Sequence, residues 1–400
     1  TFTMIAAVAE GNRRRIYLPP EPDQLEAALR AEPEWAPETE LPPQALGFRV
    51  QLYGMTKHRD LFTPRQLAAL STLCDVIAEA HEDIKARASR DKEYADTLTI
   101  YLACALSRLT DYMNNLCIWN ATNENIAHLF NRQAVPMVWD FAEANPIQGK
   151  LSFSVAADWV AGSLDSVPVD CLIGRVVQLD ARKTPPQFHT PPIISTDPPY
   201  YDNIGYADLS DFFYTWLRSV LRHIDPQTFA TLLSPKEPEL IASPHRHNGS
   251  NEAAEKHFRE GFSLAFGNMH KIAHADVPMT IYYAFKQQED DTDENDTQRA
   301  STGWETMLEG LVNAGFQITG TWPVRTTKKA RLVAKGTNAL ASAVVLVARQ
   351  RSDSAAMATR KEFASVLRKE LPAAFAALTQ AGIAPVDLAQ AAIGPGMAIY

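Results

Sequence analysis

From Cys171 onward, short apolar runs alternate with stretches of helical pattern, and that alternation leaves few architectures open. CLIGRVVQLDA (171–181), PPIISTD (191–197), PMTIYYAFK (278–286), FQITGTWPV (316–324) and ASAVVLVAR (341–349) read as strands. Helical patterns occupy 207–222, 251–274 and 304–314, the last closed by Gly315. Strands separated by helices build a wound α/β sheet, with helices expected on both faces. The run 341–349 is almost continuously apolar, which suits a strand covered on both sides. The first strand is expected to end at Asp180 and the second at Asp197.

The polypeptide before this region has a different texture. Residues 1–18 suit a hairpin turning at Gly11-Asn12, and a proline-rich linker follows from Leu18 to Pro43. A helix is expected over 63–90, with Thr63 as N-cap, Pro64 at the first helical position and Leu67, Leu70, Leu73, Ile77 and Ile84 on one face. Further helices are expected at about 94–113 and 123–132. The acidic segment 287–298 reads as a surface loop, and the alanine-rich tail 353–400 as helical. Four regions result: a hairpin and linker (1–45), a mostly helical block (46–164), an α/β region (165–350) and a helical extension (351–400).

The formal net charge is -9, which argues against nucleic-acid binding spread over the whole surface but leaves room for a local basic face. Two basic segments could supply one. Arg325, Lys328 and Lys329 lie between the last two strands, and Arg246 lies between His245 and His247. A solvated hairpin and a flexible loop are the equally weighted alternatives. The four cysteines form no C-x-x-C pair, so a metal site or disulfide framework is not expected and a reducing cytoplasm fits. No run approaches the ~18 apolar residues of a membrane span. The sequence does not open on methionine, and a chain that begins within a longer protein is expected.

The chemistry is concentrated in Asp197-Pro198-Pro199-Tyr200, where the second strand should stop. Ligands of wound sheets bind beyond the carboxyl ends of the strands. An exocyclic amino group on a base is a poor nucleophile because its lone pair is delocalised into the ring. A carboxylate (Asp197) and a backbone carbonyl (Pro198) that accept its two N–H bonds free that lone pair for attack on a methyl group. Pro199 and Pro198 fix φ and hold the acceptor still. Tyr200 offers a face on which a flipped base can stack. A bare turn after a strand is the simpler reading of four such residues.

The longer stretch DPPYYDNIGYADLSDFFYTWLR (197–218) resembles the large adenine-specific DNA methylases that carry a domain of unknown function at their N-terminus. GFRVQLYGMTKHRDLFTPRQLAAL (47–70), FNRQAVPMVWDFAEANP (130–146) and IAPVDLAQAAIGPGM (383–397) are similar to the same family, so the resemblance covers most of the chain. It implies part of a Rossmann-like methyltransferase sheet, S-adenosyl-L-methionine as methyl donor, DNA presenting a flipped adenine, and possible protein partners in a defence system. It also implies that Asp180 lies near the adenine of the donor, with a loop-capping aspartate as the alternative. Tyr201 and Asn203 would shape the base pocket, although Asn203 equally suits a turn. The D-x-F-x-G-x-G turn with which such enzymes bind the donor has no counterpart here, and it is expected upstream of residue 1. RNA or protein-amide methylation, and a non-catalytic nucleic-acid-binding module, remain the rival readings. In VPMVWDF, Trp139 is more readily a core residue than a base platform.

Overall fold

The computed structural model describes residues 3–12, 14–87, 92–201, 204–283, 294–325, 342–352, 354–355, 358–380 and 396. It is a mixed α/β structure in two compact units, one comprising Thr1–Val177 with Gly205–Lys236, the other Gln178–Ile204 with Glu237–Tyr400.

The first unit opens on the expected hairpin, β1 (Ala7–Gly11) against β2 (Arg14–Leu18). Within the proline-rich linker a short helix forms, α1 (Pro22–Arg30), with proline at its first turn and Gln24 reaching back to the Glu21 N–H. α2 (Pro64–Arg87) starts as the sequence indicates. Thr63 Oγ1 accepts from the Gln66 N–H at 3.2 Å while the Thr63 N–H donates to Gln66 Oε1 at 2.8 Å, a reciprocal cap. α3 (Lys92–Thr110) packs against α2, α4 (Phe153–Leu164) and α5 (Tyr206–Leu221), and its Ala103, Ala105 and Leu106 are fully buried.

The helix expected at 123–132 does not form. Instead β3 (Ile118–Asn120) and β4 (Asn125–Ala127) make a small hairpin, followed by a 3-10 turn at Leu129–Asn131. Local side chains outcompete helical bonding here. Asn120 Oδ1 accepts from the N–H groups of Thr122 and Asn123, and the Asp111 carboxylate accepts from Phe130 N–H at 3.0 Å and His128 Nδ1 at 2.7 Å.

Buried His58 makes this unit sensitive to acid. It is 1% exposed, and its Nδ1 lies 3.0 Å from both the carbonyl and the hydroxyl of Thr39. Burial pushes its pKa below the ordinary histidine value, the Thr39 bond and Asp211 opposing the shift. The unfolded chain therefore binds the proton more readily. The stability from neutral His58 is complete above the unfolded value of about 6.5 and is lost as pH falls through the lowered folded pKa. The melting temperature is expected to fall on acidification from about pH 7 to about pH 5, and to fall less in a His58→Gln variant. A parallel response in both proteins would remove His58 as the source.

In the second unit the sheet order is β5-β6-β8-β7. β5 (Ser195–Thr196) runs parallel to β6 (Met279–Tyr283). β8 (Ser342–Gln350) is antiparallel to both β6 and β7 (Phe316–Arg325), so β7 shares the direction of β6. β5 is only two residues long because prolines at 191, 192, 198 and 199 flank it and cannot donate to a ladder. α6 (Asn251–Ile272) and α7 (Glu294–Asn313) bury Phe258, Phe266, Met307 and Leu311 in one core with Ile281, Phe316 and Leu346. The sheet residues of that core lie on one face, and along the other run Tyr282, Val345 and Trp322, with Tyr282 and Trp322 exposed. Among the described residues, the helices in that core, α6 and α7, pack on the one face that carries its sheet residues. α8 (Arg360–Gln380) supplies part of the helical tail.

Two sequence expectations need correction. The run 171–181 is not a strand: Leu172, Ile173 and Val176 are at least 96% exposed, and the run has no ladder partner among the described residues. β-propensity cannot make a strand without a neighbour to take its N–H and C=O groups. The acidic segment 287–298 is not wholly loop, since α7 begins at Glu294. The first part of that segment lies outside the described residues.

Candidate functional site

The Asp197 turn sits at the carboxyl end of β5, where Thr196 pairs with Ile281 of β6. The prolines end the ladder, and residues 197–200 follow without regular structure. Asp197 is exposed, and Pro198, Pro199 and Tyr200 are half-buried. The Tyr200 hydroxyl donates to Asp197 Oδ1 at 2.8 Å. Oδ2 of Asp197 and the carbonyl of Pro198 receive no hydrogen bond among the described residues. Two acceptors on one proline-stiffened turn thus carry no hydrogen bond from the described residues.

Tyr201 fixes the shape of the turn. Its φ is 36°, a left-handed value that a bulky side chain adopts only when its surroundings enforce it. The Tyr201 carbonyl accepts from the Ala242 N–H at 2.9 Å, and its buried ring meets Phe258 edge-on at 5.0 Å. Gly303 of α7 completes the seat: a Cβ at that position would stand 2.8 Å from Tyr201 Cγ, so any larger residue must displace that side chain. Tyr200 is braced in turn by Tyr283, the last residue of β6, with ring centroids 5.3 Å apart. Tyr283 leans on Trp304 at 5.4 Å, whose buried indole N–H has no partner among the described residues.

The other candidate residues separate from this turn. Asp180 is held by Arg182, which donates from Nε to Oδ1 at 3.0 Å and from Nη2 to Oδ2 at 2.8 Å while its own backbone N–H bonds Oδ1. The Arg182 guanidinium holds the Asp180 carboxyl below the usual aspartate range, and it also grips Glu237 at 3.0 and 3.1 Å. Asn268 pins the same turn by donating to the carbonyls of Ala181 and Lys183. This is the geometry of a capping aspartate. Arg246, on the 3-10 turn Pro244–His247, pairs with Glu239 at 2.6 Å, so that cation is partly neutralised within the protein. Arg325 is the last residue of β7. Asn203, Lys328 and Lys329 lie outside the described residues.

Comparison with known proteins returns no matching family model, no matching curated protein and no matching solved structure.

Sequence reasoning located the turn but missed the residues that build its seat: Ala242, Phe258, Tyr283, Gly303 and Trp304. One signal was available for Tyr283. A tyrosine closing a strand next to the Asp197 strand must stand at the same sheet edge. Nothing local in STGWETM marks Gly303 as a contact of residue 201. The cysteines offer no competing nucleophile in the interior, since burial pushes the Cys74 and Cys117 thiols up to about 12 and a thiolate is the reactive form.

Proposed function

We propose that this chain carries the target-base side of an amino-group methyltransferase site, acting on DNA with adenine as the favoured base, within a Rossmann-like sheet. The observation that carries the reading is the pair of open acceptors, Asp197 Oδ2 and the Pro198 carbonyl, at the carboxyl end of β5. They would accept the two N–H bonds of the exocyclic amino group and draw its nitrogen out of conjugation with the ring. Tyr200 would orient Asp197 through Oδ1 and offer its ring to the flipped base. Pro198 and Pro199 would limit the ordering left for the moment of reaction. The donor S-adenosyl-L-methionine supplies an electrophilic methyl group when bound.

The described residues do not fit a donor pocket. Asp180, the acid the resemblance assigns to the donor, is engaged by Arg182, and no glycine-rich turn of the kind that cradles the donor occurs among the described residues. That same observation favours a second reading, a nucleic-acid-binding module without catalysis. Among the described residues no helix is long and apolar enough to cross a membrane. The proposed setting is the cytoplasm, with DNA as partner and defence-system proteins as further candidates.

Labelled S-adenosyl-L-methionine tests the two readings together. The full-length protein is incubated with it and with DNA, RNA or protein, beside Asp197→Ala. Label in DNA that the variant abolishes supports the methyltransferase. Label confined to RNA or protein overturns the substrate, and DNA binding without any transfer selects the binding module.

A further inference from the structure

The first unit carries an exposed aromatic pair that the Asp197 turn does not use. Tyr53 and Trp139 meet edge to face at 5.2 Å, yet Trp139 is 76% exposed and Tyr53 52%. The core placement that VPMVWDF suggests is not what forms, because a tryptophan in a core gives up nearly all of its surface. The backbone explains why the pair is presented. Arg49 N–H donates to the Val135 carbonyl and Val135 N–H to the Gly47 carbonyl, both at 3.1 Å, which ties the two segments side by side. Phe48, Val50 and Val135 are buried beneath this bridge, so it is an anchored element. Tyr53 then ends a 3-10 turn (Val50–Tyr53) that Gly54 closes with φ 88°, a left-handed value at which glycine carries no strain.

The same two segments carry Arg49 and Arg132. Both are exposed, and neither makes an ion pair or a side-chain hydrogen bond among the described residues. Asp140, next to Trp139 in the chain, is also exposed. In a chain whose formal charge is -9, the two segments that present the exposed rings also carry two exposed arginines, a local composition of opposite sign. An apolar protein partner would cover the rings and leave both cations unmatched. A polyanion whose repeating units carry aromatic faces engages all four side chains.

We infer that Tyr53 and Trp139, with Arg49 and Arg132 of the same segments, form a docking surface for single-stranded DNA. Unpaired bases stack on the exposed ring faces, and the phosphates between them meet the two guanidinium groups. The surface needs bases that are already unstacked, which a closed duplex does not offer. The inference is independent of chemistry at Asp197: it describes a second contact, on the other unit, that holds whether or not the turn transfers a methyl group.

The test is anisotropy of fluorescein-labelled oligo-dT, a strand with no adenine, titrated with the full-length protein at several salt concentrations. The wild type is expected to bind. A Tyr53→Ala/Trp139→Ala variant is expected to bind at least roughly tenfold more weakly, since each base stacked on an aromatic ring contributes strongly to such complexes. Arg49→Gln/Arg132→Gln should weaken binding and flatten the log–log salt dependence by about one to two units. Oligo-dT carries no adenine to modify and the readout is binding alone, which separates failure here from failure of the methyltransferase reading. Melting curves confirm that the exposed substitutions leave the fold intact. No binding by the wild type would overturn the inference, as would equal binding by the aromatic variant. Tighter binding of duplex DNA or of RNA of matched length, or self-association that Trp139→Ala abolishes, would assign the surface to another occupant and overturn it too.

Discussion

Asp197→Asn is expected to lower methyl transfer by roughly 10²–10³-fold while leaving the fold unchanged, the scale seen when one precisely aimed polar group of a polar transition state is removed. The substitution keeps size and shape but changes the acceptor inventory. As a carboxylate, Asp197 satisfies the Tyr200 hydroxyl with Oδ1 and still offers Oδ2 to a substrate N–H. An asparagine has a single acceptor oxygen and an NH₂ group, so it can serve Tyr200 or the substrate, and its donor end would face the amine it should attract. Asp197 is exposed, so folding does not depend on it. Tyr200→Phe is the graded companion: it removes the hydroxyl that orients Asp197 and is expected to cost about tenfold in rate, in line with one hydrogen bond to a charged group. Single-turnover rates beside circular dichroism melts read out both variants. An Asp197→Asn protein within a factor of a few of wild type would end the assignment of Asp197 as an acceptor.

The largest stability loss is expected from Phe258→Ala. This ring is fully buried in α6, meets Tyr201 at 5.0 Å and Phe262 at 4.4 Å, and is part of the core that the sheet shares with α6 and α7. Truncating a buried phenylalanine leaves a cavity and costs ~3–5 kcal/mol. In a unit of this size that lowers the melting temperature by roughly 10 °C. A fall below about 1 kcal/mol would mean that the site collapses to fill the space. The cavity would open against the ring of Tyr201, whose backbone is left-handed, so activity is expected to fall before the unit melts.

How far the sequence could be read depended on whether a signal was local. α2 was legible because Thr63, Pro64 and the leucine spacing all act within one helix. β6, β7 and β8 were legible because they pair with one another and their apolar runs are covered by α6 and α7. The run 171–181 has the same apolar composition and fails, because pairing is a property of two segments and its own residues cannot announce a missing neighbour. The Leu129–Asn131 region failed for the opposite reason: Asp111, far back in the chain, captures backbone donors that a helix would have used. Of the site, the Asp197 turn was legible from residue type alone. Asp180 was weighed between a donor contact and a cap, and the Arg182 guanidinium that engages it could not be foreseen from its own residue type.

Gly303 gives the turn an adjustment that leaves its chemistry untouched. The residue contributes no acceptor, no charge and no ring, yet the space it leaves vacant decides where the Tyr201 ring can rest and hence how the backbone just behind Tyr200 is aimed. Substitution by alanine, serine and then valine would push on that ring in graded steps from the far side. The series works as a mechanical dial: it varies the alignment of the acceptors while holding their identity constant, so the dependence of rate on geometry can be measured apart from the dependence on functional groups.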